Sequence, residues 1–78
     1  MSMPTAFVLI NYEFGAEKET ISKLKTVPGV IEASEVNGVY DIIIKMTSDN
    51  LGNLKDTIRR RIRTIDTVRS TMTLVAVE

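Results

Sequence analysis

Apolar positions along the chain alternate between strand-like runs and helical stripes. Residues 5–12 (Thr-Ala-Phe-Val-Leu-Ile-Asn-Tyr) form a run too short for a typical helix and suited to a pleated surface, which predicts an interior strand. After the break at Gly15, residues 16–26 carry Ile21 and Leu24 on one side and Glu19 and Lys23, four apart, on another, which predicts a short amphipathic helix. Pro28-Gly29 stops that helix. Residues 30–36 follow as a second strand whose Glu32 and Glu35 fall on opposite faces, a pattern suited to a sheet edge. Residues 39–46 make a third strand, and its Ile42-Ile43-Ile44 centre calls for cover on both faces. Ser48, Asp49 and Asn50 offer N-cap chemistry ahead of a helix over 51–65, where Leu51, Leu54, Ile58, Ile62 and Ile65 form a regular stripe. Residues 68–77, apolar and threonine-rich, read as a fourth strand.

The order βαββαβ is that of an α+β, ferredoxin-like domain, in which right-handed crossovers place both helices on one face of an antiparallel sheet. Strand order 4-1-3-2 puts the two most apolar strands in the centre. With no linker, repeat or low-complexity segment, residues 1–78 read as one domain. The helices cover one face only, yet Phe7, Val8, Leu9, Ile10, Ile42, Ile43 and Ile44 commit apolar side chains to both. A bare face of that size exceeds the few hundred Å² of contiguous apolar surface that monomers tolerate, so a second sheet is expected against it, as in dimeric α+β barrels.

Composition strengthens the expectation of association. At 78 residues a single core is near its lower useful limit, and the absence of Cys and His rules out disulfides and argues against a structural metal. Ten basic residues balance ten acidic ones, so no overall field draws the chain to nucleic acid or an anionic membrane. The longest apolar stretch, residues 6–10, is far too short to span a bilayer and no signal sequence precedes it, which predicts a soluble, cytoplasmic protein. Without His, Cys or Trp the chain has no familiar imidazole base, thiol nucleophile or metal cluster; neither enzymatic activity nor a cofactor is expected.

The segment Val36-Asn37-Gly38-Val39-Tyr40-Asp41-Ile42 concentrates the candidate chemistry. An Asn-Gly pair between two apolar runs signals a two-residue hairpin turn, with both residues at positive φ. Gly38 leaves its backbone open to a close-lying ligand, and Asp41 can hold an ammonium group or serve only as a strand-end acceptor. Tyr40 and Asp41, adjacent in a strand, point to opposite faces, which weakens any joint acid-base role. Arg59-Arg60-Arg61, with Lys55, Arg63 and Arg69, suggests a nucleic-acid patch until helical rotation sends consecutive arginines apart. Asp56 can pair with Arg60, no aromatic interleaves, and no single basic stripe is expected, so direct DNA binding is not predicted. Ser70, Thr71 and Thr73 could offer hydroxyls, although threonine is also a good strand former; Met46 and Met72 read as core or interface filler.

Three segments, Val27-Pro28-Gly29-Val30, Val36-Asn37-Gly38-Val39-Tyr40-Asp41 and Val68-Arg69-Ser70-Thr71-Met72-Thr73, resemble in order and spacing the effector-binding module of the Lrp/AsnC family, often called the RAM domain. The resemblance implies a subunit that dimerises through its sheet, assembles further into octamers or decamers, and binds an amino acid effector between dimers. It assigns effector contacts to Asn37, Gly38, Val39, Tyr40 and Asp41, with Ser70 and Thr71 as further candidates. Family regulators carry an N-terminal helix-turn-helix domain, whereas this chain reaches its first strand by Thr5. A stand-alone form is therefore expected, sensing amino acids itself or associating with full-length regulators. Two alternatives are a small dimeric α+β barrel enzyme and a structural adaptor for such regulators.

Overall fold

The computed structural model describes residues 3–76. Its elements are β1 (Thr5–Tyr12), α1 (Glu17–Lys25), β2 (Val30–Glu35), β3 (Ile42–Thr47), α2 (Leu51–Thr57) with a π-helical continuation (Ile58–Ile62), and β4 (Val68–Val75). The fully antiparallel sheet runs β2-β3-β1-β4, which is the expected 4-1-3-2 order read from the other edge. The predicted end of the last strand at Val77 lies outside the described residues.

Alternation along β1 and β3 builds the core. Ala6, Val8 and Ile10 together with Ile42, Ile44 and Met46 point to the helices and are fully buried, where they meet Leu24 of α1, Val27 beyond it, and Leu54, Ile58 and Ile62. Complete burial of a side chain of this size is worth about 1.5–3 kcal/mol. The only buried polar residue among those described, Thr20, donates to the Ala16 carbonyl at 2.7 Å and shares a 2.6 Å hydrogen bond with Thr67, tying α1 to the segment before β4.

The last helix departs from the expected uniform α-helix. Asn50 caps it, its Oδ1 accepting from the Asn53 N–H at 2.8 Å, but beyond Thr57 the turns widen and the Arg63 N–H donates to the Ile58 carbonyl, five residues back, at 3.0 Å. Leu54, Ile58 and Ile62 recur every four residues, and at about 100° per residue an α-helix keeps them on one face with a drift of about 40° per step. A π turn winds less per residue and brings Ile62 back over the sheet. Lys55, Arg59 and Arg63, also four apart, border one groove, so a basic stripe exists where the divergence of the consecutive arginines 59–61 predicts none.

The connection between β2 and β3 also differs from expectation. Glu35 pairs with Ile42 and the Val36 N–H donates to the Asp41 carbonyl at 2.9 Å, leaving residues 37–40 as a four-residue loop in place of a two-residue Asn-Gly turn. Gly38 is not at positive φ; among the described residues only Gly15 and Gly29 are. Tyr40 and Asp41 precede β3 instead of opening it. The physical reason is Asp41: its N–H donates to the Ile10 carbonyl and its carboxylate is held by β1, which anchors the loop two residues further along than a tight turn would allow. A shift of two preserves every facing, so the buried set is unchanged.

Candidate functional site

Strand β1 loses its apolar character at Asn11 and Tyr12, and this end of the sheet holds a cleft of about 440 Å³ lined by Asn11, Tyr12, Asp41, Arg69 and Ser70. Asn11 is its organising side chain. Its Nδ2 donates to the Val39 carbonyl at 2.9 Å and to Asp41 Oδ2 at 3.3 Å, while its Oδ1 accepts from the Ser70 hydroxyl at 2.8 Å. One amide thus locks the β2–β3 loop to β4. The Tyr12 N–H adds a further hydrogen bond to Asp41 Oδ2 at 3.2 Å, leaving Asp41 Oδ1 without a donor among the described residues.

A bulge supplies the other wall. Asn11 pairs with Ser70 but Tyr12 pairs with Val68, so Arg69 is the extra residue on β4. Neighbours on a regular strand face opposite ways, and the irregularity lets both Arg69 and Ser70 border the same cleft. Arg69 makes no ion pair with Asp41 or any other described carboxylate. The Tyr12 hydroxyl has its pKa raised by desolvation first and then by the negative charges of Glu17, Glu35 and Asp41, which marks this end of the cleft as electronegative and keeps the phenol a donor. A carboxylate with a free oxygen and a guanidinium without an ion pair thus line one cleft.

The expected site residues divide between places. Asp41 and Ser70 line the cleft and Val39 contributes its carbonyl, while its side chain stands 86% exposed. Asn37 and Gly38 lie exposed on the loop, Gly38 with open space where a Cβ would be, and Tyr40 is half-buried beside Asp41. Thr71 pairs with inward-facing Ile10, so it lies on the helix side of β4, away from Ser70. Asn11, Tyr12 and Arg69 are cleft residues that the sequence reading does not single out for this role. The polar end of an otherwise apolar β1 run is the one local signal for Asn11, whereas the bulge that admits Arg69 has none.

The cleft opens at the end of the uncovered sheet face. Phe7, Leu9 and Ile43 on that face are half-buried, while Met72 and Leu74, which pair with Leu9 and Phe7, are 48% and 52% exposed. Among the described residues no helix is long and apolar enough to cross a membrane.

Comparison with known proteins agrees with this architecture. The chain is 33% identical over 75 residues to an uncharacterized HTH-type transcriptional regulator of Pyrococcus furiosus, covering 92% of this chain and 50% of that protein. Among solved structures, FFRP-DM1 superposes with a TM-score of 0.92 at 39% identity, covering 96% of this chain and 100% of that one. AsnC of E. coli superposes with a TM-score of 0.90 at 28% identity, covering 96% and 51% respectively. The chain spans about half the length of the curated relatives it matches. These curated relatives are HTH-type transcriptional regulators. The profile of the Lrp/AsnC ligand binding domain matches residues 5–78, and the chain belongs to that family.

Proposed function

We propose that this chain is an amino-acid-sensing module that holds a free α-amino acid in the Asn11–Asp41–Arg69–Ser70 cleft and converts its binding into a change of subunit assembly. The observation that carries the reading is the pair of opposite charges, Asp41 with a free Oδ1 and Arg69 without a carboxylate partner, on one cleft. Asp41 receives the ammonium group; Arg69 and the Ser70 hydroxyl receive the carboxylate. The side chain of the effector is left to meet the loop 37–40 and whatever subunit covers the bare sheet face. Phe7, Leu9, Ile43, Met72 and Leu74 form the apolar surface through which copies pair, and higher assembly into octamers or decamers completes the pocket. An effector bound at such a junction favours the assembly in which its pocket is complete. In this reading a full-length Lrp/AsnC protein presenting the same sheet is a further partner, and the setting is cytoplasmic.

Calorimetric titration of the twenty amino acids tests this reading. Saturable heat for one or a few, with a shift in elution volume on binding, is the expected result; no heat for any of them would refute it. Charge-assisted hydrogen bonds contribute about 1.5–3 kcal/mol. Asp41→Ala is therefore expected to weaken binding by roughly 10- to 100-fold while the subunits still associate.

A further inference from the structure

On the opposite face of β4 lies a second, larger concavity. The helices leave the inward face of this edge strand uncovered: Thr71, Thr73 and Val75, which pair with Ile10, Val8 and Ala6, border a groove of about 720 Å³. Its other wall is α2 and the π-helical stretch, contributing Gly52, Lys55, Ile58, Arg59 and Arg63. Their four-residue spacing sets Lys55, Arg59 and Arg63 along one wall, with the carboxylate of Asp56 beside them.

The one carboxylate on this wall leaves the cations available. Asp56 Oδ1 is shared between Arg59 Nη2 at 2.6 Å and Arg60 Nε at 3.2 Å. Arg60 does not line the groove, so Asp56 keeps a partner when Arg59 turns to another anion. Lys55 and Arg63 have no ion pair among the described residues. Two guanidinium forks, an ammonium and two hydroxyls thus outnumber the single carboxylate of Asp56 along a groove that Ile58 and Val75 also line. Guanidinium groups match phosphate oxygens two at a time, and three cations suit a ligand carrying more than one negative charge. The groove lies in the size range of small-molecule sites and has no aromatic side chain on which unpaired bases of a nucleic-acid strand would stack.

We propose that the groove between α2 and β4 binds a small phosphate-bearing anion of nucleotide size. The site stands independently of the amino acid cleft, since Ser70 and Thr71 face opposite sides of β4.

Inorganic pyrophosphate and ADP, titrated calorimetrically in magnesium-free buffer with sodium sulfate at matched ionic strength as the control, test the proposal. Saturable binding of either phosphate compound, at least tenfold tighter than sulfate, is expected. The exposed double substitution Lys55→Gln and Arg63→Gln should weaken it by tenfold or more with an unchanged circular dichroism spectrum, while Asp41→Ala leaves it intact. Absence of saturable binding, equal binding of sulfate, or a double variant that binds as before would each overturn the proposal. So would a double variant that alters elution volume in phosphate-free buffer, since the groove would then be a contact between subunits. Amino acid titrations of the same double variant separate the two sites: effector binding unaltered beside lost phosphate binding is the expected pattern.

Discussion

Ile43 and Ile44 are neighbours of one residue type on one strand, and they belong to different worlds. Ile44 points to the helices and is fully buried among Val8, Leu24, Leu54 and the rest of the core; Ile43 points to the uncovered face and remains partly open to solvent. The contrast extends along β1, where Val8 and Ile10 are sealed and Phe7 and Leu9 are not. One face therefore holds the subunit together, and the other is the proposed association surface, bordering the proposed effector cleft. Truncating Ile44 to Ala should lower the stability of the subunit by about 2–5 kcal/mol. That loss should be the same at every protein concentration in urea denaturation. Ile43→Ala should cost the isolated subunit well under half as much, and its effect should grow with protein concentration, because it weakens a contact between copies. Identical, concentration-independent losses at both positions would mean that the outer face has no partner.

A second contrast, smaller in energy, separates the two glycine-bearing connections of β2. Gly29 has φ +90°, and a Cβ there would sit 2.4 Å from the Thr47 carbonyl oxygen, which is rigid backbone because the Gly29 carbonyl also accepts from the Thr47 N–H at 2.9 Å. Gly38 has neither positive φ nor any atom within 4 Å of such a Cβ. Gly29→Ala should destabilise by about 1–3 kcal/mol, as expected where both strain and contact oppose the side chain. Gly38→Ala should leave the melting temperature almost unchanged. If Gly38→Ala nonetheless reduces amino acid affinity, the glycine serves the ligand and not the loop; if affinity is also unchanged, the loop backbone takes no part in recognition.

These pairs also indicate what sequence can carry. The two-faced sheet follows from alternation at Val8, Leu9, Ile10, Ile42, Ile43 and Ile44, and the helices from the stripes at Ile21 and Leu24 and at Leu54, Ile58 and Ile62, because facing depends only on local period. Edge placement of β2 follows from Glu32 and Glu35, both exposed on the edge strand. The Asn-Gly signal at 37–38 is a local preference, and it is overridden by hydrogen bonds from Asn11 and Tyr12 some 30 positions away in sequence, which no short window contains. Arg69 enters the cleft through a bulge, a long-range register event. Asp41 and Ser70 are legible through the motif segments 36–41 and 68–73 that contain them; Asn11 becomes meaningful only when β1, the loop and β4 converge on it. The π turn leaves no comparable mark, because the four-residue recurrence at Leu54, Ile58 and Ile62 also holds one face of an ordinary α-helix.

The weakest contrast is between the two ways α1 is fastened to the segment ahead of β4. One fastening, Thr20 to Thr67, is partly buried and carries no charge; the other is solvent-exposed and electrostatic, with Lys23 Nζ bound to Asp66 at 2.9 Å and to Glu19 at 3.0 Å. Hydrogen bonding to Lys23 lowers the Asp66 pKa below its ordinary 3.8, and hydrogen bonds from Asp66 and then Glu19 raise that of Lys23 above 10.5. A lowered carboxyl contributes stability that is present above the unfolded-state value and lost as pH falls through the folded one. A raised ammonium contributes stability that is present below the unfolded-state value and lost as pH rises through the folded one. The pair is therefore favourable across the interval between those two ranges and fades at both ends. Asp66→Asn should melt slightly below the wild type at neutral pH, and the gap should close on acidification through the carboxylate range. Added salt at neutral pH should narrow the same gap, because exposed charges are screened. Thr67→Val, by contrast, removes the uncharged fastening, and its effect on melting should persist unchanged through both the acid titration and the salt series.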